Sequence, residues 1–150
     1  PLAHLVPGPL PLLLAHTGVK HHSGAAHRPV RQRWLEGDPE VREAYDLLPR
    51  LARSRKDALL RGDWEAIGDA MNENMAIQQR LGASGEACDR LAAVARENGA
   101  IAAKLAGAGQ GGTILALTFE PERLRAALVA AGAGRILVPT PSEGLTVAGA

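Results

Sequence analysis

The chain has 150 residues, of which 46% are hydrophobic, 22% charged and 3% aromatic. Its 17 basic and 16 acidic residues leave a net charge of +1, which argues against a nucleic-acid-binding protein or one attracted to acidic membranes. The single cysteine, Cys88, excludes an internal disulfide and is predicted to pack on the apolar side of a helix. No apolar run reaches the ~18 residues of a membrane span. One compact domain with an aliphatic core is expected.

The first predicted element is a buried strand from Leu10 to His16. Residues 1–9 lack the basic start of a signal peptide and are interpreted as a severed linker or the end of a preceding domain, so the domain itself spans 10–150. A helix is predicted over 24–35. Asp38 then caps a helix that begins at Pro39 and runs to about Leu60, and Pro49 should kink or divide it.

The next helix is capped by Asp63 and follows Gly62. Its apolar period is marked by Ile67, Met71, Asn74 or Met75, Gln78 and Leu81. Ser84 starts a further helix, which ends at Asn98-Gly99. Two strands around a glycine loop come next, then a helix over Pro121–Ala131 and strands over Arg135–Val138 and Leu145–Ala148.

This order of elements predicts an α+β fold. It corresponds to a ferredoxin-like split βαβ plan with an antiparallel sheet and extra helices in the first crossover. A denser basic stretch lies on the second helix and is interpreted as a solvated face, not a phosphate or nucleic-acid patch; it comprises Arg50, Arg53, Arg55, Lys56 and Arg61.

The glycine loop is the most informative segment of the chain. Gly107, Gly109 and Gly112 satisfy G-x-G-x-x-G, but a strand-like run follows where a dinucleotide-binding turn needs a helix. A Walker loop fails as well, because Thr113 and Ile114 replace the Lys and Ser or Thr that should follow its last glycine. Two readings remain: a loop whose backbone N–H groups approach an anion, or a glycine-rich hairpin.

The residues around the loop carry a family resemblance. The string KLAGAGQGG, from Lys104 to Gly112, resembles the third conserved motif of the GHMP kinases. The stretch MNEN at 71–74 with LGAS at 81–84, followed by Asp89, Leu91 and Ala95-Arg96, looks like the helical region before that motif in the mevalonate kinase branch. The segment HTGVK, at 16–20, looks like the D-T-G-x-K segment of the same enzymes. Together the matches cover about residues 10 to 148.

The resemblance implies the C-terminal half of an ATP-dependent kinase, with mevalonate as the first acceptor. It implies that the loop lines the phosphate-transfer site and that a few polar residues face the acceptor: the loop residues are Gly107, Ala108, Gly109, Gln110, Gly111 and Gly112, and the substrate-side residues are Thr17, Lys20 and Ser23. The chain departs from the family pattern at four places: it has His16 in place of Asp, His22-Ser23 in place of Ser-Thr, Ala106 in place of Thr and Gln110 in place of Gly.

The catalytic residues, the phosphate-binding loop and the Mg²⁺ ligand of such kinases are not found in this chain, so the resemblance places them in a missing N-terminal half. ATP, Mg²⁺ and a small-molecule alcohol are the implied partners, the cytoplasm is the implied location, and a homodimer is allowed for. Other acceptors stay open, namely a sugar, phosphomevalonate or homoserine. So do a non-catalytic binding module and a partner subunit of a complete kinase.

Several polar residues have two readings. His16, His21, His22 and His27 fall close together, but no cysteine or well-spaced carboxylate completes a metal site, so no metal is predicted. Lys104 is expected to be an exposed strand residue. Asn72 and Glu73 are expected at the surface of their helix.

Overall fold

The computed structural model describes residues 9–20, 23–107 and 109–140, and only the backbone of residues 23–26. In that part of the chain the strands are β1 (Leu12–His16), β2 (Ala102–Ala106), β3 (Thr113–Leu117) and β4 (Arg135–Leu137). The helices are α1 (Ser23–Leu35), α2 (Pro39–Ser54), α3 (Lys56–Arg61), α4 (Trp64–Arg80), α5 (Glu86–Glu97) and α6 (Pro121–Ala130).

The described strands form one antiparallel sheet in the order β2-β3-β1-β4. Strands β1 and β2 thus run parallel to each other with β3 between them, which is the split βαβ arrangement. Five helices of the described chain, α1 to α5, fill the first crossover, and α6 fills the second. The predicted α+β, ferredoxin-like plan with extra helices is confirmed.

Each strand alternates its side chains between the two faces of the sheet. One face packs on α5 and α6 through a cluster of buried residues that includes Leu13, Leu105 and Ile114. The other face meets α4, where Ala102 and Leu117 pack with Met71. Two of the predicted caps are present, because the carboxylates of Asp38 and Asp63 accept hydrogen bonds from the first turns of α2 and α4.

Helix α4 covers the exposed edge of β2, which would otherwise present unpaired backbone groups. The Asn72 side chain donates to the Ile101 carbonyl at 3.2 Å and accepts from the Ala103 N–H at 3.3 Å. One turn further on, the Met75 sulfur accepts from the Leu105 N–H at 3.4 Å. Asn72 is therefore half-buried and serves as a substitute for a neighbouring strand, a role that its expected surface position did not indicate.

Pro49 was predicted to kink or divide the second helix, and it does not divide it. Helix α2 continues through Pro49, and the break comes at Arg55. Pro49 is exposed, so water can satisfy the carbonyl that loses its helical partner, while the buried Leu51 holds the next turn in place. The predicted strand Leu145–Ala148 lies outside the described residues. Within the described residues, no helix has the length and apolarity needed to cross a membrane.

Candidate functional site

The glycine loop connects β2 to β3 and lies against two other segments of the chain. One is the turn between α4 and α5, residues 82–85. The other is the segment 17–19, which follows β1. Ala108 lies outside the described residues, so the loop is described here through Gly107 and residues 109–112.

The turn at 82–85 holds the middle of the loop through the two polar groups of Gln110. Its backbone N–H donates to the Ser84 carbonyl at 2.6 Å, and its side-chain amide donates to the Gly82 carbonyl at 2.9 Å. Gln110 has a positive φ of 60°, which a residue with a side chain adopts only at some cost. The Gln110 side chain, which departs from the family pattern, thus fastens the loop to the turn.

The same contact is so close that it requires glycine on both sides. A Cβ at Gly109 would stand 1.7 Å from the Ala83 carbonyl oxygen. A Cβ at Gly85 would stand 2.7 Å from the Gln110 Cα. These are backbone atoms, which cannot move aside as the end of a flexible side chain can. The glycines therefore allow two backbone segments to touch.

The segment after β1 holds the other end of the loop. The Thr17 N–H donates to the Gly112 carbonyl at 2.7 Å, and the Gly112 N–H donates to the Val19 carbonyl at 3.4 Å. The Cys88 thiol, on α5, donates to the Gly111 carbonyl at 3.0 Å. The loop is consequently fixed by contacts to the turn at 82–85, to the segment 17–19 and to α5.

Cys88 is fully buried, as predicted, but it also contacts the loop. Burial raises the pKa of the Cys88 thiol above its ordinary value, because a thiolate would lose its hydration there. The thiol therefore stays protonated at neutral pH and remains a hydrogen-bond donor. In this structure its hydrogen bond joins α5 to the glycine loop.

These contacts use both carbonyl and N–H groups of the loop, and some of its N–H groups have no partner among the described residues. Within the described part of the chain, the N–H groups of Gly109 and Gly111 donate to no backbone or side-chain acceptor. Backbone N–H groups without an internal partner in a glycine-rich bend are the usual means of binding an anion such as phosphate. Both glycines are themselves buried, so the two sequence-based interpretations of the loop, an anion-binding bend and a glycine-rich hairpin, stay open.

The predicted substrate-side residues lie in and next to the segment that holds the loop. Thr17 is 6% exposed, and its hydroxyl accepts from the Val19 N–H at 3.2 Å. Lys20 follows Val19 directly and is exposed. Ser23 is the first residue of α1, and its side chain is outside the description. Thr17 and the loop are thus brought together, and Lys20 extends from the same segment.

A cavity of about 210 Å³ opens beside Gly107, where β2 meets the loop. Its polar lining comes from His27, Tyr45 and Gln78, which lie on α1, α2 and α4. None of these residues was a predicted site residue, since each lies in a helical segment far from the loop in sequence. The close spacing of Gly82 and Gly85 was the one local signal that the turn at 82–85 takes part.

The histidines do not define a metal site in the part of the chain that is described. Among the described residues, no three His, Cys, Asp or Glu side chains are grouped so that they could hold a metal ion. The His16 ring nitrogen Nδ1 accepts from the Gly18 N–H at 2.9 Å, and His27 is exposed on α1. His21 and His22 lie outside the described residues.

Two basic residues are less exposed to solvent than predicted. Lys104 was expected to be exposed but is half-buried on β2, and burial lowers the pKa of its ammonium group. The basic stretch of α2 and α3 was expected to be solvated throughout, yet the Arg55 Nε is buried. The four other residues of that stretch are exposed.

Comparison with known proteins gives one family match. A family model described as "GHMP kinases C terminal" matches residues 56–134, which include α4, the turn at 82–85, the glycine loop and α6. Among curated relatives, the mevalonate kinase of Pyrococcus furiosus is 28% identical over 144 residues, which is 92% of this chain and 43% of the relative. A probable glucuronokinase of Arabidopsis thaliana is 33% identical over 66% of this chain and 28% of its own length.

Solved structures agree with the fold. The crystal structure of L. major mevalonate kinase in complex with R-mevalonate has a TM-score of 0.74 and 25% identity, and the match covers 84% of this chain and 40% of that one. The chain therefore spans less than half the length of these relatives. The match with the mevalonate kinases still covers most of this chain and includes the glycine loop.

Proposed function

Because the chain belongs to the GHMP kinase family through its C-terminal domain, we propose that it is the C-terminal part of an ATP-dependent kinase that phosphorylates a small-molecule alcohol. Mevalonate is the first acceptor to test, since mevalonate kinase is the commonest name among the relatives. The observation that carries the proposal is the fastened glycine loop, whose Gly109 and Gly111 N–H groups have no internal partner in the described chain.

The loop suits phosphoryl transfer because that reaction depends mainly on positioning and on charge stabilisation. Donors fixed before the reaction stabilise developing charge without the cost of reorganising. In this proposal, the N–H groups of Gly109 and Gly111 face the transferred phosphoryl group or the phosphates of ATP. The contacts of Gln110, Thr17 and Cys88 hold those donors in place.

The acceptor side is assigned to the segment that follows β1. Lys20 is the residue best suited to meet an anionic group of the acceptor, such as the carboxylate of mevalonate. Thr17 positions the loop through its backbone and holds Val19 through its hydroxyl. Ser23 stays a proposed hydroxyl contact, by resemblance alone.

Mg²⁺ would neutralise charge on the phosphates of ATP, as it does generally in phosphoryl transfer. Its ligands and the catalytic Asp are assigned to the part of the kinase that this chain does not contain. The proposal therefore requires a longer polypeptide, or a second chain, that supplies a phosphate-binding loop and the acidic residues.

The first test is the intact mass and N-terminal sequence of the native polypeptide, set against the 15.7 kDa of this chain. The native protein is then assayed for ADP release with mevalonate, phosphomevalonate, glucuronic acid and homoserine. The Cβ of Gly109→Ala would displace the Gly109 N–H from its position, which should lower kcat by about 100-fold, as the loss of one fixed donor usually does. Gly132→Ala is the matched control, because this glycine also has a positive φ and lies at the end of α6.

Acceptor-dependent ADP release by the native protein, lost in Gly109→Ala and kept in Gly132→Ala, would support the proposal. Equal activity of both variants would contradict the assigned role of the loop. A native product with the mass of this chain and no ADP release with any acceptor would leave a binding module or a partner subunit.

A further inference from the structure

A second cleft lies between α2, α3, α4 and the edge strand β2. It encloses about 260 Å³, and its walls are largely aliphatic, with Leu51, Leu59 and Met71 among them. A closed apolar cavity of ~150 Å³ is enough to bind benzene. This cleft therefore has room for a longer aliphatic group. None of the residues of the glycine loop lines it.

The charged groups at this cleft are all positive. Arg55, Lys56 and Lys104 line it, and no acidic side chain does so among the described residues. The Lys104 ammonium group donates to the Leu105 carbonyl at 2.7 Å. Within the described chain, Lys104 has no carboxylate within ion-pair distance.

Arg55 adds a donor that has no partner in the described chain. Its Nε is buried and makes no hydrogen bond within the described chain. Arg55 lies where α2 ends and α3 begins, so the break between the two helices places its side chain at the cleft. Buried donors and cations are normally paired, since an unpaired one loses its hydration without compensation.

An anion in this cleft would give the Arg55 Nε the acceptor that it lacks in the described chain and Lys104 the counter-charge that it lacks there. It would accept from the Lys104 ammonium and the Arg55 Nε, and such charge-assisted hydrogen bonds are stronger than neutral ones. The aliphatic walls would at the same time cover an apolar body. Burial also lowers the pKa of Lys104, which agrees with a cation that lacks a counter-charge.

We propose that this cleft binds an anionic amphiphile, a small molecule with an aliphatic body and one carboxylate or phosphate head. The head lies at Arg55 and Lys104, and the body lies along Leu51, Leu59 and Met71. The proposal does not depend on kinase activity, because it uses no residue of the glycine loop or of the acceptor side.

The test is a titration of the isotopically labelled native polypeptide with n-octyl phosphate and with octanoate. Binding is followed by calorimetry and by the methyl resonances of Leu59 and Met71. Inorganic phosphate and n-octanol, each carrying one half of the ligand chemistry, are the comparison compounds. We expect saturable binding of at least one anionic amphiphile, with shifts at both methyl groups. Tighter binding of octyl phosphate assigns a phosphate head, and tighter binding of octanoate assigns a carboxylate head.

The variants separate charge from shape. Lys104→Met keeps an unbranched side chain and should weaken binding about 10-fold, the typical effect of losing a charge-assisted hydrogen bond. Arg55→Gln should act in the same direction and serves if Lys104→Met does not fold by circular dichroism. Arg53→Gln is the matched control, because Arg53 is exposed on α2 and does not line the cleft.

Three results would overturn the proposal. One is equal affinity for octanol and the anionic amphiphile, since the cations would then contribute nothing. Another is equal affinity for inorganic phosphate, since the aliphatic walls would then contribute nothing. The third is unchanged affinity in a folded Lys104→Met or Arg55→Gln variant.

Discussion

The contact between the glycine loop and the turn at 82–85 should be the most sensitive feature of this domain to a single added methyl group. At Gly109 the backbone has a φ of +75°, and a Cβ there would stand 1.7 Å from the Ala83 oxygen and 2.8 Å from the Ala83 carbonyl carbon. Gly109→Ala therefore carries two costs, a strained backbone and a collision. The collision forces the loop away from the turn.

Both costs can be given a magnitude. A left-handed backbone costs an Ala about 1–2 kcal/mol relative to the right-handed form. Displacing the loop would break the two hydrogen bonds that Gln110 makes to Ser84 and Gly82, at about 1 kcal/mol each. Gly109→Ala should thus lower the free energy of unfolding by about 3–4 kcal/mol.

Gly107→Ala isolates the first cost. Gly107 also has a positive φ, +95°, but a Cβ there would meet nothing within 4 Å. Only the backbone term remains, so the expected loss is about 1–2 kcal/mol. The difference between the two variants, about 2 kcal/mol, measures the contact between the loop and the turn.

The assay is urea unfolding at 25 °C, followed by the helical signal in far-UV circular dichroism. If the free energy of unfolding falls with urea concentration at a similar slope in the parent and both variants, the shifts in midpoint report changes in stability. Gly85→Ala, which approaches the same contact from the turn, should resemble Gly109→Ala, because its Cβ would stand 2.7 Å from the Gln110 Cα. Equal losses for Gly107→Ala and Gly109→Ala would refute the contact as the reason for the glycine.

Three further predictions use the same unfolding assay. Asn72→Ala should cost about 1–3 kcal/mol, because the Ile101 carbonyl and the Ala103 N–H lose their Asn72 partner. Glu73→Ala, exposed on the same helix, should stay within about 0.5 kcal/mol. Equal effects of the two substitutions would contradict the strand-capping role of Asn72. Gln110→Ala keeps the positive φ and loses the hydrogen bond to Gly82, so it should lower the free energy of unfolding by about 1 kcal/mol. Gln110→Gly loses the same bond but relieves the backbone strain, so it should be nearly neutral. A larger loss of stability in Gln110→Gly than in Gln110→Ala would refute this. Burial lowers the pKa of Lys104 in the folded chain below its ordinary value in the unfolded chain, so between these two pKa values the unfolded chain binds more protons. The free energy of unfolding should therefore rise with pH across that window. Lys104→Met should flatten the rise, and an unchanged pH profile in this variant would show that Lys104 is not its source.

Local patterns were sufficient to predict most elements of this fold, although they put the break between α2 and α3 at the wrong residue. Asp38 and Asp63 were predicted to cap α2 and α4, and both carboxylates accept hydrogen bonds from the first turn of the following helix. The strand, loop, strand unit around 107–112 was also predicted correctly. Such signals depend only on residues that are near each other in the sequence, so they can be recognised without knowing the tertiary contacts.

The other errors, at Asn72, Lys104 and Arg55, concern contacts between distant segments. The period of α4 marked Met71 and Met75 as buried but could not show that Asn72, between them in the sequence, would bond to a strand about 30 residues away. Lys104 and Arg55 were placed at the surface because charged residues usually lie there. Their burial comes from the packing of α2, α3 and α4 around β2, which no local window contains.

Strand β2 connects these observations into one physical account of the loop. A loop can hold fixed donors only if the strand that leads into it is itself fixed, and β2 is an edge strand with one sheet neighbour. Asn72 and Met75 supply the missing partners from α4, so the backbone is paired on both sides up to Leu105. Beyond Leu105, the hydrogen bonds of Gln110, Thr17 and Cys88 hold the loop. The geometry of the glycine loop is therefore set by α4 as much as by its own glycines, and a substitution at Asn72 should disturb the loop without touching it.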